Sequence, residues 1–236
     1  MSKPKLDVRV YPIDEHPGST KAFASVAVDD LIAIRGIRVV EGEKGLFVTM
    51  PQSLDMKTNK YHDIAFPING ELRKGINKAV LEEYKHMASL SPDKRGYDKP
   101  DMNAANGIST ADVKFDIRVY PINDSHSSTK AFASISVDET IAIRGVRVIE
   151  GRNGGMFVAM PQSQDKEGKL HDIAFPINGE LRKALNKAVV DEYVSSGKIK
   201  DRTSKLSEKL AEGAEKAISA GAQSMAASQK HKVGAI

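Results

Sequence analysis

The chain has 236 residues, 40% of them apolar and 28% charged, with a formal net charge of +4 and no cysteine. That length suits one or two domains, and the missing cysteines exclude a disulfide framework and thiolate chemistry. No apolar run approaches membrane-spanning length and the N-terminal MSKPKLDVRVYP has no apolar signal core, so a cytoplasmic protein without membrane contact is expected.

Leu6 to Ile13 alternates Leu6, Val8 and Val10 against Asp7, Arg9 and Tyr11, the period of a strand, with Pro12 at its end. Asp14–Ser19 is turn chemistry. Thr20–Val28 and Ile32–Val40 are β-branched runs joined around Asp29-Asp30. In the second run Ile32 and Ile34 share one parity, Ile37 and Val39 the other. A β-bulge at Gly36 restores all four to one face and sets Arg35 and Arg38 together on the opposite one. Glu41–Gly45 reads as a hairpin connection, Leu46–Met50 as a strand, Gln52–Lys60 as a polar loop, and Asp63–Ile68 as extended chain. A helix follows, with Asn69 as its N-cap, Glu71 in its first turn and Leu72, Ile76, Ala79 and Val80 as its apolar stripe. Lys74, Lys78 and Lys85 lie nearly opposite that stripe.

The whole series then recurs. Residues 114–195 repeat residues 5–86 at an offset of 109, with small insertions and deletions only at loop-like spots. The segments His62–Lys74 and His171–Lys183 are identical, and Arg144, Gly145 and Arg147 reproduce the bulge. Two copies of one small domain are therefore expected, each an antiparallel sheet of four to five strands followed by a C-terminal helix. This α+β chain is expected to form an intrachain pseudo-dimer, joined by a linker over 87–113. Further oligomerisation is left open. The tail, 196–236, is Ala-rich and reads as a frayed helix or a disordered segment. Each repeat is neutral, with 12 charges of either sign in the first and 11 in the second, so the excess of lysine lies in the tail. A generally basic surface is excluded; a polyanion would need local clusters.

The run Ile37–Pro51 with His62–Tyr84, and its counterpart Val146–Pro161 with His171–Tyr193, resembles the SpoVG (stage V sporulation protein G, septation regulator) family. The resemblance covers nearly all of each repeat. It implies a non-enzymatic, bacterial, cytoplasmic regulator of septation, cell division or sporulation that pairs and binds DNA or RNA. The family often carries adjacent basic residues in the loop after the Met-Pro-Ser segment. Here that loop is Gln52–Lys57 in one copy and Gln162–Lys166 in the other, and the basic pair is missing.

The candidate nucleic-acid contacts are Arg73, Lys74 and Lys78 on the first helix and Arg182, Lys183 and Lys187 on the second. Lys57, Lys60, Lys166 and Lys169 stand near the altered loops. Lysine and arginine supply phosphate contacts; the plain alternative for the helices is a solvated face. Arg35, Arg38, Arg144 and Arg147 are secondary candidates, expected to pair with carboxylates across the outer sheet face. Phe47, Phe66, Phe157 and Phe175 have the chemistry to stack bases but are expected in the core. His62-Asp63 and His171-Asp172 are too few ligands for a metal or hydrolytic site and read as loop-ordering pairs. No phosphate loop, nucleophile motif or cofactor fingerprint is present, so no cofactor is expected. The competing reading is a protein-interaction or assembly module that holds no nucleic acid.

Overall fold

The computed structural model describes residues 4–14, 17–96, 113–122, 126–165 and 167–197. The first repeat runs β1 (Leu6–Pro12), β2 (Thr20–Val28), β3 (Ile32–Gly42), β4 (Gly45–Thr49), β5 (Gln52–Asp55), β6 (Lys60–Asp63), β7 (Ala65–Pro67) and helix α1 (Gly70–Ser89). The second runs β8 (Phe115–Pro121), β9 (Thr129–Val137), β10 (Ile141–Glu150), β11 (Met156–Ala159), β12 (Gln162–Gln164), β13 (Leu170–Asp172), β14 (Ala174–Pro176) and helix α2 (179–197). The expected architecture, an antiparallel sheet followed by a helix and then the same again, is present. Lys166 and the tail from residue 198 lie outside the described residues, as does the linker over 97–112.

Alternation builds each sheet. Val10, Ala22, Ala24, Val26, Ile32, Ile34, Ile37 and Val39 are all buried on one face, although Ile34 and Ile37 differ in parity. The register shows why. Ala24 pairs with Ile37 and Val26 with Ile34, so Ser25 alone faces both Arg35 and Gly36. Gly36 has φ +76, a left-handed conformation that costs a side-chain-bearing residue about 1–2 kcal/mol. The second copy repeats the bulge at Arg144-Gly145, opposite Ser134.

The fifth strand of each sheet comes from the other repeat. Ala174–Pro176 of β14 pairs with Ile32–Ile34 of β3, and Ala65–Pro67 of β7 pairs with Ile141–Ile143 of β10. The main chain extends each seam, with Arg35 N donating to the Ile173 carbonyl and Arg144 N to the Ile64 carbonyl, both at 2.7 Å. Ala65 and Ala174 are fully buried, and core residues from both repeats form one continuous apolar cluster.

Both helices are capped. Asn69 accepts a hydrogen bond from Leu72 N and Asn178 one from Leu181 N, each at 2.6 Å. Buried Leu72, Ile76 and Val80 seat α1 against the first sheet, and buried Leu181, Leu185 and Val189 join the same core from α2.

One expectation needs correction. Gln52–Lys60 is largely not a loop: β5 and β6 pair as a hairpin from Gln52↔Asp63 to Asp55↔Lys60. Its residues are mostly exposed, so no apolar alternation marks it in the sequence. Regular structure also continues past residue 86, into the first part of the expected linker. Helix α1 continues to Ser89, and a 3-10 turn spans Pro92–Lys94. The Arg95 side chain, 6% exposed, explains the extra order: its Nε donates to the carbonyls of Met87 (3.0 Å) and Leu90 (3.2 Å), and its guanidinium meets Asp14 at 2.6 Å.

Candidate nucleic-acid interface

The lysines of both helices project into solvent, as their spacing requires, but four of them are matched by an acid on the same helix. Lys74 meets Glu71 at 2.9 Å, Lys78 meets Glu82 at 3.8 Å, Lys183 meets Glu180 at 2.9 Å and Lys187 meets Asp191 at 2.6 Å. Exposed i,i+3 and i,i+4 pairs contribute only about 0.3–0.5 kcal/mol, so a phosphate competes with them readily. The stripe is nevertheless closer to neutral than its lysines alone imply.

Arg73 and Arg182 leave the helices in another direction. Arg73 bridges to Asp63 at 2.7 Å, whose other carboxylate oxygen accepts from Gln52 Nε2 at 2.9 Å. The second copy repeats this with Arg182, Asp172 and Gln162. The Asp of each His-Asp pair thus ties a hairpin to the following helix. The two histidines diverge: His171 Nε2 lies 2.7 Å from Asp165. That contact, with the amides of Lys169 and Glu167, lowers the Asp165 carboxyl below its ordinary range. In the first copy the corresponding Asp55 is lowered chiefly by the Thr58 hydroxyl, then by the Lys57 amide. No group of three or more His, Cys, Asp or Glu side chains among the described residues could hold a metal ion. Lys57, Lys60 and Lys169 stand exposed around these hairpins.

The arginines of the bulges behave differently from the expectation. Arg35 lies 4.6 Å over the Phe175 ring and Arg144 lies 4.8 Å over the Phe66 ring. Strand exchange makes these stacks, because each phenylalanine belongs to the opposite repeat; exposed cation–π contacts are worth about 0.5–1 kcal/mol. Arg38 pairs across the ladders with Phe23 and Thr49, and Arg147 with Phe132 and Ala159. Those partners are aromatic or small, so the expected carboxylate pairing does not form there.

The exchange therefore assembles composite clefts. One, of about 300 Å³, is lined by Arg35 of the first repeat and by His171, Asp172, Phe175 and Arg182 of the second. The other, of about 480 Å³, joins Ser53, His62 and Asp63 of the first repeat to Arg144, Arg147 and Gln162 of the second. The sequence named the members of these clefts but not their company.

Among the phenylalanines, Phe175 is buried and Phe66 packs against the core, as expected. Phe47 and Phe157 are not core residues; both are exposed. Tyr11, Phe23, Tyr120 and Phe132 are exposed as well. Tyr11 shares the outward parity of Asp7 and Arg9, as its alternation predicts; for Phe23, Tyr120 and Phe132 the usable signal was parity with Ser25, Arg118 and Ser134.

The described residues contain no helix long and apolar enough to cross a membrane. The SpoVG family profile matches residues 4–86 and 113–195. A protein of Agathobacter rectalis named septation protein SpoVG is 42% identical over 79 residues, covering 34% of this chain and 88% of its own length. Likewise named are proteins of Archaeoglobus fulgidus (44% over 79 residues, 34% and 91%) and Staphylococcus saprophyticus (39% over 99 residues, 42% and 96%). An archaeal relative extends the family beyond the bacteria implied earlier. One repeat is about the length of such a relative, and the profile is met twice: the chain belongs to the SpoVG family and carries two copies of its fold in tandem.

Proposed function

We propose that this protein is a non-enzymatic, cytoplasmic regulator of the septation or sporulation type that acts by binding DNA or RNA. The observation that carries this reading is the pair of arginine sets, Arg35 with Arg38 and Arg144 with Arg147, which lie against aromatic or small residues rather than carboxylates, with Arg35, Arg144 and Arg147 lining the composite clefts. Guanidinium groups left without an acid are available to phosphate, which they bind bidentately. Arg73, Arg182 and the helix lysines are secondary contacts that exchange their weak acidic partners for phosphate. Lys57, Lys60 and Lys169 extend the same basic rim, and Lys166, which lies outside the described residues, belongs to the same proposed set.

Fluorescence anisotropy with labelled DNA and RNA tests the reading. Binding should weaken with salt, with a log–log slope of about −0.7 per phosphate contact on a single strand. Arg38→Glu combined with Arg147→Glu should lower affinity at least about tenfold, more than Lys74→Glu with Lys183→Glu, because the lysines are already half-neutralised. Absence of binding at low salt would reject the assignment. The assembly-module reading draws on exposed Leu54, Met56 and Tyr61 at one hairpin. It is the outcome if nucleic acid is ignored and light scattering shows concentration-dependent oligomers.

A further inference from the structure

Each outer sheet face carries a row that neither the core nor the strand exchange uses. Tyr11 pairs with Phe23 and Phe23 with Arg38; in the second repeat Tyr120 pairs with Phe132 and Phe132 with Arg147. Directly paired residues project from the same face about 5 Å apart. Each row is therefore two aromatic rings followed by a guanidinium, roughly 10 Å long across three strands. Phe23 is 48% exposed, Phe132 47% and Tyr120 57%, so these rings are uncovered by any described part of the chain. Arg9 and Ser25 flank the first row on one side and the pair of Val40 with exposed Phe47 on the other; Arg118 with Ser134 and the pair of Ile149 with exposed Phe157 do the same for the second, so the face mixes polar groups with further aromatic rings. Arg147 also lines the cleft of about 480 Å³ between the repeats, so the second row runs into a further arginine, Arg144.

We propose that these two rows are stacking platforms for single-stranded nucleic acid, an inference that rests on the nucleic-acid reading above. Bases lie on Tyr11 and Phe23 and on Tyr120 and Phe132, while Arg38 and Arg147 hold the adjoining phosphates. A phenyl ring offers no hydrogen bond to a base edge in a groove; what it offers is a π-face. Bases in a duplex already cover each other's faces, so only an unpaired strand has faces to present. A row of this length accommodates about two bases, as on other single-strand-binding sheets. Aromatic stacking tolerates any base, so the platforms bind without strict sequence preference.

The test compares the full chain on a labelled oligothymidylate of about 20 nucleotides with a duplex of equal length. The single strand should bind tighter. Phe23→Leu with Phe132→Leu removes the rings but keeps apolar bulk at exposed positions, and should weaken single-strand binding roughly tenfold or more without moving Tm. Phe23→Trp with Phe132→Trp should retain binding. If the single strand binds but the Leu variant matches wild type, or the Trp variant loses as much as the Leu variant, or the duplex binds equally well, the platforms are wrong while the nucleic-acid reading survives. If neither probe binds at low salt, the nucleic-acid reading itself falls.

Discussion

Asn178 shows how one side chain sets the start of a helix. Its carboxamide oxygen takes the Leu181 amide at 2.6 Å in a nearly buried position. An alanine there leaves that amide without its acceptor, so Asn178→Ala should cost about 1–2 kcal/mol in chemical denaturation. Backbone strain gives a prediction of opposite sign. Asp138 and Glu139 sit at φ 50 and 54 in the turn between β9 and β10. Aspartate tolerates the left-handed region, glutamate poorly. Glu139→Gly should therefore stabilise the protein by about 0.5–1 kcal/mol, read as a higher denaturation midpoint. Asp165 supplies the pH dependence. Its carboxyl is held low by His171 and nearby amides, so the contact is intact at neutral pH and is lost as pH falls through the lowered value. NMR titration should find Asp165 below the ordinary aspartate value, and His171→Ala should move it upward.

At the scale of elements, the strands with apolar alternation were legible and the rest were not, for particular reasons. The parity slip from Ile34 to Ile37 was enough to locate the bulge at Gly36, because only an extra residue puts both inside. Asn69 as a cap was legible from its place before an apolar stripe. The hairpin of β5 and β6 was not, since both of its faces are wetted and no period separates them. The sequence placed Arg35 on the outer face. Its ring partner Phe175 was hidden, because the two lie in different repeats and nothing local joins them. Phe175 anchors the exchanged strand: it is 4% exposed, whereas Phe47 is 46% exposed. Phe175→Ala should cost about 3–4 kcal/mol and Phe47→Ala under about 1 kcal/mol, measured by denaturant unfolding.

At the scale of the molecule, two short strands exchanged in opposite senses turn a tandem repeat into one body. The identical segments His62–Lys74 and His171–Lys183 mean that either strand fits either sheet. Their tether within one chain makes intrachain exchange the favoured arrangement, since the effective concentration is of millimolar order. Light scattering at micromolar concentration should give a mass near 25.6 kDa; exchange between chains requires at least twice that mass. Each composite cleft is complete only while both repeats contribute, so variants that weaken the exchange should weaken nucleic-acid binding in step. Photo-crosslinking of the full chain to a single strand, with the crosslinked peptides located by mass spectrometry, addresses the arginine–aromatic faces most directly. Crosslinks are expected within β1 and β2 at Tyr11 and Phe23 and within β8 and β9 at Tyr120 and Phe132; crosslinks confined to α1 and α2, or none, would contradict that placement.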